Sequence, residues 1–126
     1  MGQGGSTVSD RLSVKVLRDL MRQYQAWHSM YESGEVADVL VYGSFSISLW
    51  DLDYLVDNLH RLPRRQNEAI RFCFLENLKE SDAAVRMGVS PTNPVSMYAN
   101  EGLKKILAMI EDGSLPRFRY EHQESA

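Results

Sequence analysis

The stretch from Leu62 to Gly113, LPRRQNEAIRFCFLENLKESDAAVRMGVSPTNPVSMYANEGLKKILAMIEDG, decides the fold. Its spacing predicts three helices with a tight turn between the last two. Pro63 suits a first helical position, where the N–H it lacks would have no partner anyway. Ile70, Cys73, Phe74 and Leu78 then recur at helical spacing and form one apolar stripe. Ser81, followed by Asp82, predicts the N-cap of a short second helix carrying Ala84 and Val85. Gly88 stands where a left-handed residue would end that helix. Pro94 is suited to the next helix start, with Asn93 capping ahead of it. Val95, Ala99, Gly102, Leu103, Ile106 and Ile110 then mark the buried face of a third helix that stops at Gly113. Helix, short helix, turn and longer helix is the order of a helix-turn-helix unit.

The whole chain of 126 residues has room for one domain, or a small domain with a substantial arm. An apolar share of 44% supplies a core, and 25% charged residues argue against wholesale disorder. The net charge of −3 excludes a binder that holds DNA by bulk electrostatics, so affinity would need a local patch. Within residues 62–113 basic and acidic side chains balance at seven each. The lone Cys73 lies on the apolar stripe and reads as a small core residue of a cytoplasmic protein. No stretch resembles a signal peptide or a membrane span.

Residues 1–8 are Gly-rich and polar and read as a loose tail. Ser9 or Asp10 is the expected cap of a long helix reaching Ser33, with Gly34 as its stop. On it Val14, Leu17, Met21, Tyr24, His28 and Tyr31 follow a three-four spacing, which suits packing on the rest of the chain or a homodimer seam. Residues 35–48 read as an irregular or extended connector. Ser48 or Asp51 is the expected cap of a helix over 50–61, with Trp50, Leu52, Leu55, Val56 and Leu59 facing the core. Beyond Gly113, residues 114–126 form a tail whose Pro-Arg-Phe-Arg-Tyr, at 116–120, suits either docking on the domain or gripping phosphates and bases. The expected division is therefore a tail (1–8), an N-terminal helix with connector (9–49), a helix-turn-helix domain (50–113) and a C-terminal tail (114–126). The fold class is all-α.

No phosphate loop, dinucleotide fingerprint, HExxH or nucleophile elbow occurs. His28, His60 and His122 are scattered, and no cluster has metal spacing. We expect no enzyme, no metal and no cofactor. A binding role has more support. In a helix-turn-helix the first turns of the third helix enter the major groove. Thr92, Asn93, Ser96, Met97 and Asn100 are the candidate base readers, since Asn pairs with adenine and Met meets a thymine methyl. Arg64, Arg65, Lys79, Arg86 and Lys104 are the candidate phosphate contacts.

Residues 62–113 also resemble region 4 of bacterial sigma factors and the related sigma-like regulators. The matching pieces are Leu62-Pro63, Glu68-Ala69-Ile70, Phe74-Leu75-Glu76, Asp82-Ala83-Ala84 and Met87-Gly88-Val89-Ser90, then Val95 and Gly102-Leu103-Lys104-Lys105-Ile106. The chain departs from that pattern in a longer turn, with Pro91 and Pro94 flanking Thr92-Asn93, and in few basic side chains on the third helix. The resemblance implies a sequence-specific DNA-binding transcription regulator of bacterial or phage origin. It equally implies RNA polymerase as a partner, because sigma-like domains engage its flap element. A looser similarity, resting on Trp27, Trp50 and the C-terminal half, points to phage antitermination proteins of the Q type. Such an adaptor would use Phe72, Phe74 and Leu75 for protein contacts, whereas in the resembled family the equivalent residues are often core.

Overall fold

The computed structural model describes residues 12–42, 45–90, 94–115 and 119–120. The described residues are mostly helical and form five helices and one small sheet: α1 (Val14–Glu32), β1 (Val39–Tyr42), β2 (Phe45–Ser48), α2 (Leu49–Asp57), a 3-10 turn (Leu59–Arg61), α3 (Arg64–Ile70, continued by a π-helical turn over Arg71–Leu75), α4 (Glu80–Met87), α5 (Val95–Glu111) and β3 (Arg119–Tyr120).

Helix α1 starts later than Ser9 or Asp10 would place it. Ser13 is the cap, its hydroxyl accepting from the Val16 N–H at 3.2 Å, and Ser9 and Asp10 lie outside the described residues. Gly34, at φ +81°, turns the chain after it. Leu17, Leu20, Met21 and Trp27 are buried. Each such side chain contributes roughly 1.5–3 kcal/mol by leaving water. The buried part of the α1 stripe packs on α5 and on the π-helical turn, and Val14, Tyr24, His28 and Tyr31 of the same stripe stay partly exposed.

The connector is ordered into strands. β1 and β2 form an antiparallel hairpin pairing Leu40 with Ile47 and Val39 with Ser48, and β3 joins β2, so the order is β1-β2-β3. Ile47 is fully buried, so the face it shares with Leu40 points inward and the Val39–Val41 face points outward. The all-α expectation holds for most of the chain and is corrected here. The alternation of apolar residues and serines over 45–49 is a true strand signal, and part of the C-terminal tail supplies the third strand.

The Ser48 hydroxyl caps α2 by accepting from the Trp50 N–H at 3.1 Å. The helix is shorter than the expected 50–61 and passes into the 3-10 turn. The helix starts at Leu49, which joins Leu52, Leu55 and Val56 on the core face. Trp50, expected inside, is instead 53% exposed.

The π-helical turn explains how Cys73, Phe74 and Leu75 are buried together. Its wider turn lets three consecutive side chains face inward, which one α-helical stripe cannot do. Asn77 then takes a left-handed conformation at φ 56°. The start of α4 also differs from expectation: Lys79 is the extended boundary residue, without a side-chain cap, and Ser81 lies inside the first turn. Glu80 and Asp82 there favour the positive end of the helix dipole. Gly88, at φ +73°, ends α4 as expected. α5 buries all six of the residues its spacing predicts. A single apolar cluster, from Leu17 to Leu115, runs through all five helices and β2.

Candidate nucleic-acid interface

The first turns of α5 carry three of the five candidate base readers, and the helical period separates them. Val95, Ala99 and Gly102 turn inward, towards α3. Ser96 and Asn100, one turn apart, are half-buried, and Asn100 meets α1. Met97 points outward and is 53% exposed, on a line with Glu101 and Lys104. Asn100 is already engaged: its Oδ1 accepts from Arg18 Nη2 of α1 at 3.1 Å. Thr92 and Asn93 lie outside the described residues.

The candidate phosphate contacts are mostly paired within the chain. Arg65 donates from Nη1 to the Met87 carbonyl at 2.9 Å, satisfying the last turn of α4, and lies 3.4 Å from Glu68. Arg64 pairs with the same Glu68 carboxylate at 3.0 Å. Arg86 pairs with Glu76 at 3.3 Å and stacks over the Phe72 ring, 4.6 Å from its centroid. Lys104 sits 4.0 Å from Glu101, one turn back. Lys79 is exposed at the start of α4. The surface thus offers Lys79, Lys104 and the exposed pairs of Arg64 and Arg86, whose strength in water is about 0–1 kcal/mol and which a phosphate can outcompete.

Beside the Arg18–Asn100 bond, further aromatic and polar contacts fasten α1 over this unit. Arg18 and Arg22 both lie over the Phe74 ring, at 5.9 and 5.1 Å. Arg22 Nη1 donates to Asn77 Oδ1 at 2.9 Å, and the Asn77 amide returns a bond to the Arg22 carbonyl at 3.3 Å. Of the residues read either as core or as a protein-contact surface, Phe74 and Leu75 are buried, Phe74 beneath Arg18 and Arg22, and Phe72 is half-buried under Arg86. Sequence reasoning missed Arg18 and Arg22 because nothing local marks a partner 82 or 55 residues away.

A second cluster joins α1 to α2. Tyr24 donates a short hydrogen bond to Asp53, whose carboxylate also lies 3.7 Å from His28 Nε2. Burial, then the Asp53 carboxylate, pushes the Tyr24 hydroxyl well above the ordinary phenol range. His28 Nδ1 is 3.5 Å from Glu32, and its ring meets Tyr24 edge-on. Cys73 is buried in the core, and its thiol is pushed up by desolvation and by Glu80, against Arg22. Among the described residues no group of His, Cys, Asp and Glu is arranged to hold a metal ion, and no helix is long and apolar enough to cross a membrane.

No protein-family model matches the chain, and neither a curated protein nor a solved structure matches it.

Proposed function

We propose that the chain is a DNA-binding transcription regulator whose α3–α4–α5 unit works as a sigma-like helix-turn-helix. The observation that carries this reading is the mutual packing of those three helices, with a left-handed Gly88 closing α4 and the outward Met97 leading α5. In such a unit the start of the last helix enters the major groove. Met97 then meets thymine methyls, Ser96 bonds to base edges, and Lys79 and Lys104 position the backbone. Asn100 serves first as the anchor of α1, and reads bases only if Arg18 lets go. Thr92 and Asn93 precede α5 in the chain and remain candidate readers.

The test is selection of bound sequences from a random duplex pool at low and at physiological salt. A motif that stays enriched at physiological salt supports sequence reading. Absence of enrichment at both salts overturns it for this chain.

A second reading is favoured by one specific observation: Arg64, Arg65 and Arg86 are each paired with carboxylates of their own unit. A unit so neutralised suits an adaptor or antiterminator that meets RNA polymerase before DNA. Co-sedimentation with purified bacterial RNA polymerase, with duplex DNA absent, separates the two readings.

A further inference from the structure

Between Arg22 and Arg61 the sequence contains no lysine or arginine, yet it holds Glu32, Glu35, Asp38, Asp51, Asp53 and Asp57. The fold gathers much of this stretch onto one surface. Trp50 and Tyr54, one turn apart on α2, are 53% and 49% exposed. The Trp50 indole N–H donates to Asp38 at 2.8 Å, which fixes the ring, and Tyr31 of α1 meets that ring edge-on at 5.7 Å. Directly after Asp38 the strand β1 begins, with Val39 half exposed and Val41 72% exposed on its outer face. β1 is also an edge of the sheet, so one row of its backbone groups is left without a strand partner among the described residues.

Aromatic rings and valines on an open strand edge need a cover, and the surrounding charge says of which kind. Among the described residues the charged side chains beside the Trp50 ring are carboxylates: Asp38 holds the indole, Glu32 follows Tyr31 on α1 and lies 3.5 Å from His28, and Asp57 lies on the Trp50–Tyr54 side of α2, while Arg119 stands two strands from β1 in the register row of Val41. His28 and His60 are the only imidazoles in the segment. We infer that this surface docks a partner protein through a segment in which lysine or arginine alternates with apolar residues. The cations of such a segment lie over the faces of Trp50 and Tyr54 and between the carboxylates, while its apolar residues cover Val39 and Val41. A nucleic acid meets like charge here, and a purely apolar strand leaves the carboxylates unanswered. The inference goes beyond the DNA reading of α5 and stands whether or not that reading does.

The experiment uses the full chain, with the Trp50 indole N–H and the β1 amides followed by NMR at about 0.15 M salt. Three synthetic peptides are the probes: alternating lysine-valine, alternating glutamate-valine, and alternating lysine-glycine. The lysine-valine peptide is expected to shift Trp50, Val39 and Val41 saturably and to leave the buried Trp27 indole in place. The glutamate peptide is expected to bind nowhere, and the lysine-glycine peptide about tenfold more weakly. Trp50→Ala and Tyr54→Ser each weaken binding, and Glu32→Lys with Asp57→Lys abolishes it, while circular dichroism reports an intact fold. Equal binding of the lysine-glycine peptide, shifts centred on α5, or unchanged binding by Tyr54→Ser overturns the inference. Sedimentation showing that the free chain already covers this surface with a second copy overturns it as well, as does preferential binding of a duplex DNA at the same residues.

Discussion

Arg18 of α1 donates a hydrogen bond to Asn100 of α5 at 3.1 Å, tying the N-terminal helix to the flank of the proposed recognition helix. A bond from a guanidinium to a part-buried amide contributes about 1.5–3 kcal/mol. Asn100→Ala is therefore expected to lower stability by about 1–2 kcal/mol in urea unfolding, and a double-mutant cycle with Arg18→Ala to show coupling of about 0.5 kcal/mol or more. Additive effects would show that the contact carries no energy. In DNA binding, Met97→Ala is expected to weaken an enriched site more than Asn100→Ala does.

Gly102 sets the closest approach of α3 and α5. A Cβ there would lie 2.7 Å from Ile70 Cδ1 and 3.2 Å from Gln66 Cβ. The first atom ends a side chain that is itself fully buried, and the second is fixed to the helix. Alanine gains about 1 kcal/mol of helix propensity over glycine, and overpacking costs about 1–3 kcal/mol. Gly102→Ala is expected to be destabilising by up to about 2 kcal/mol, and Gly102→Val by more. A thermal melt in which Gly102→Ala is more stable than the parent would refute the close packing.

Tyr24 gives stability a dependence on alkaline pH. Its hydroxyl is raised above 10.0 in the folded chain, so the protonated form is the one folding favours. The contribution is whole below the unfolded value of about 10 and is lost as pH rises from there towards the higher native value. Tyr24→Phe is expected to cost about 1–2 kcal/mol near pH 8, a gap that narrows by about pH 11. A gap of constant size across that range would exclude the linkage.

Arg65 and Lys79 separate structural from phosphate-binding cations. Arg65 satisfies the Met87 carbonyl, so Arg65→Ala is expected to lower stability by about 1–2 kcal/mol. Lys79→Ala is expected to leave stability nearly unchanged and to reduce the salt slope of DNA binding by about 1. Equal salt slopes for Lys79→Ala and the parent would remove Lys79 from the interface.

Cys73 is 5% exposed, with its thiol pushed above the ordinary range. A buried, protonated thiol is a poor nucleophile. Reaction with a disulfide reagent at neutral pH is expected to be slow in the native chain and fast in denaturant. Prompt labelling without denaturant would place Cys73 at the surface.

Helical period and punctuation were enough to read α5, the end of α4 at Gly88, and the turn at Gly34. Those features depend on residues within one or two turns of each other. Charge was legible too: the balance of basic and acidic side chains over residues 62–113 is a plain property of the sequence. What the sequence left undecided has a common cause. Whether Trp50 or Leu49 joined Leu52, Leu55 and Val56 in the core depended on what packs against the first turn of α2. Which elements of its own chain the stripe of α1 would meet depended on Phe74, Asn77 and Asn100. The pairing of Arg119 and Tyr120 with β2 depended on a strand more than seventy residues earlier. Local spacing carries information about which face is apolar, because side-chain direction follows from the backbone period. It carries none about which apolar or charged face will be opposite, because that is settled by long-range packing within a single core.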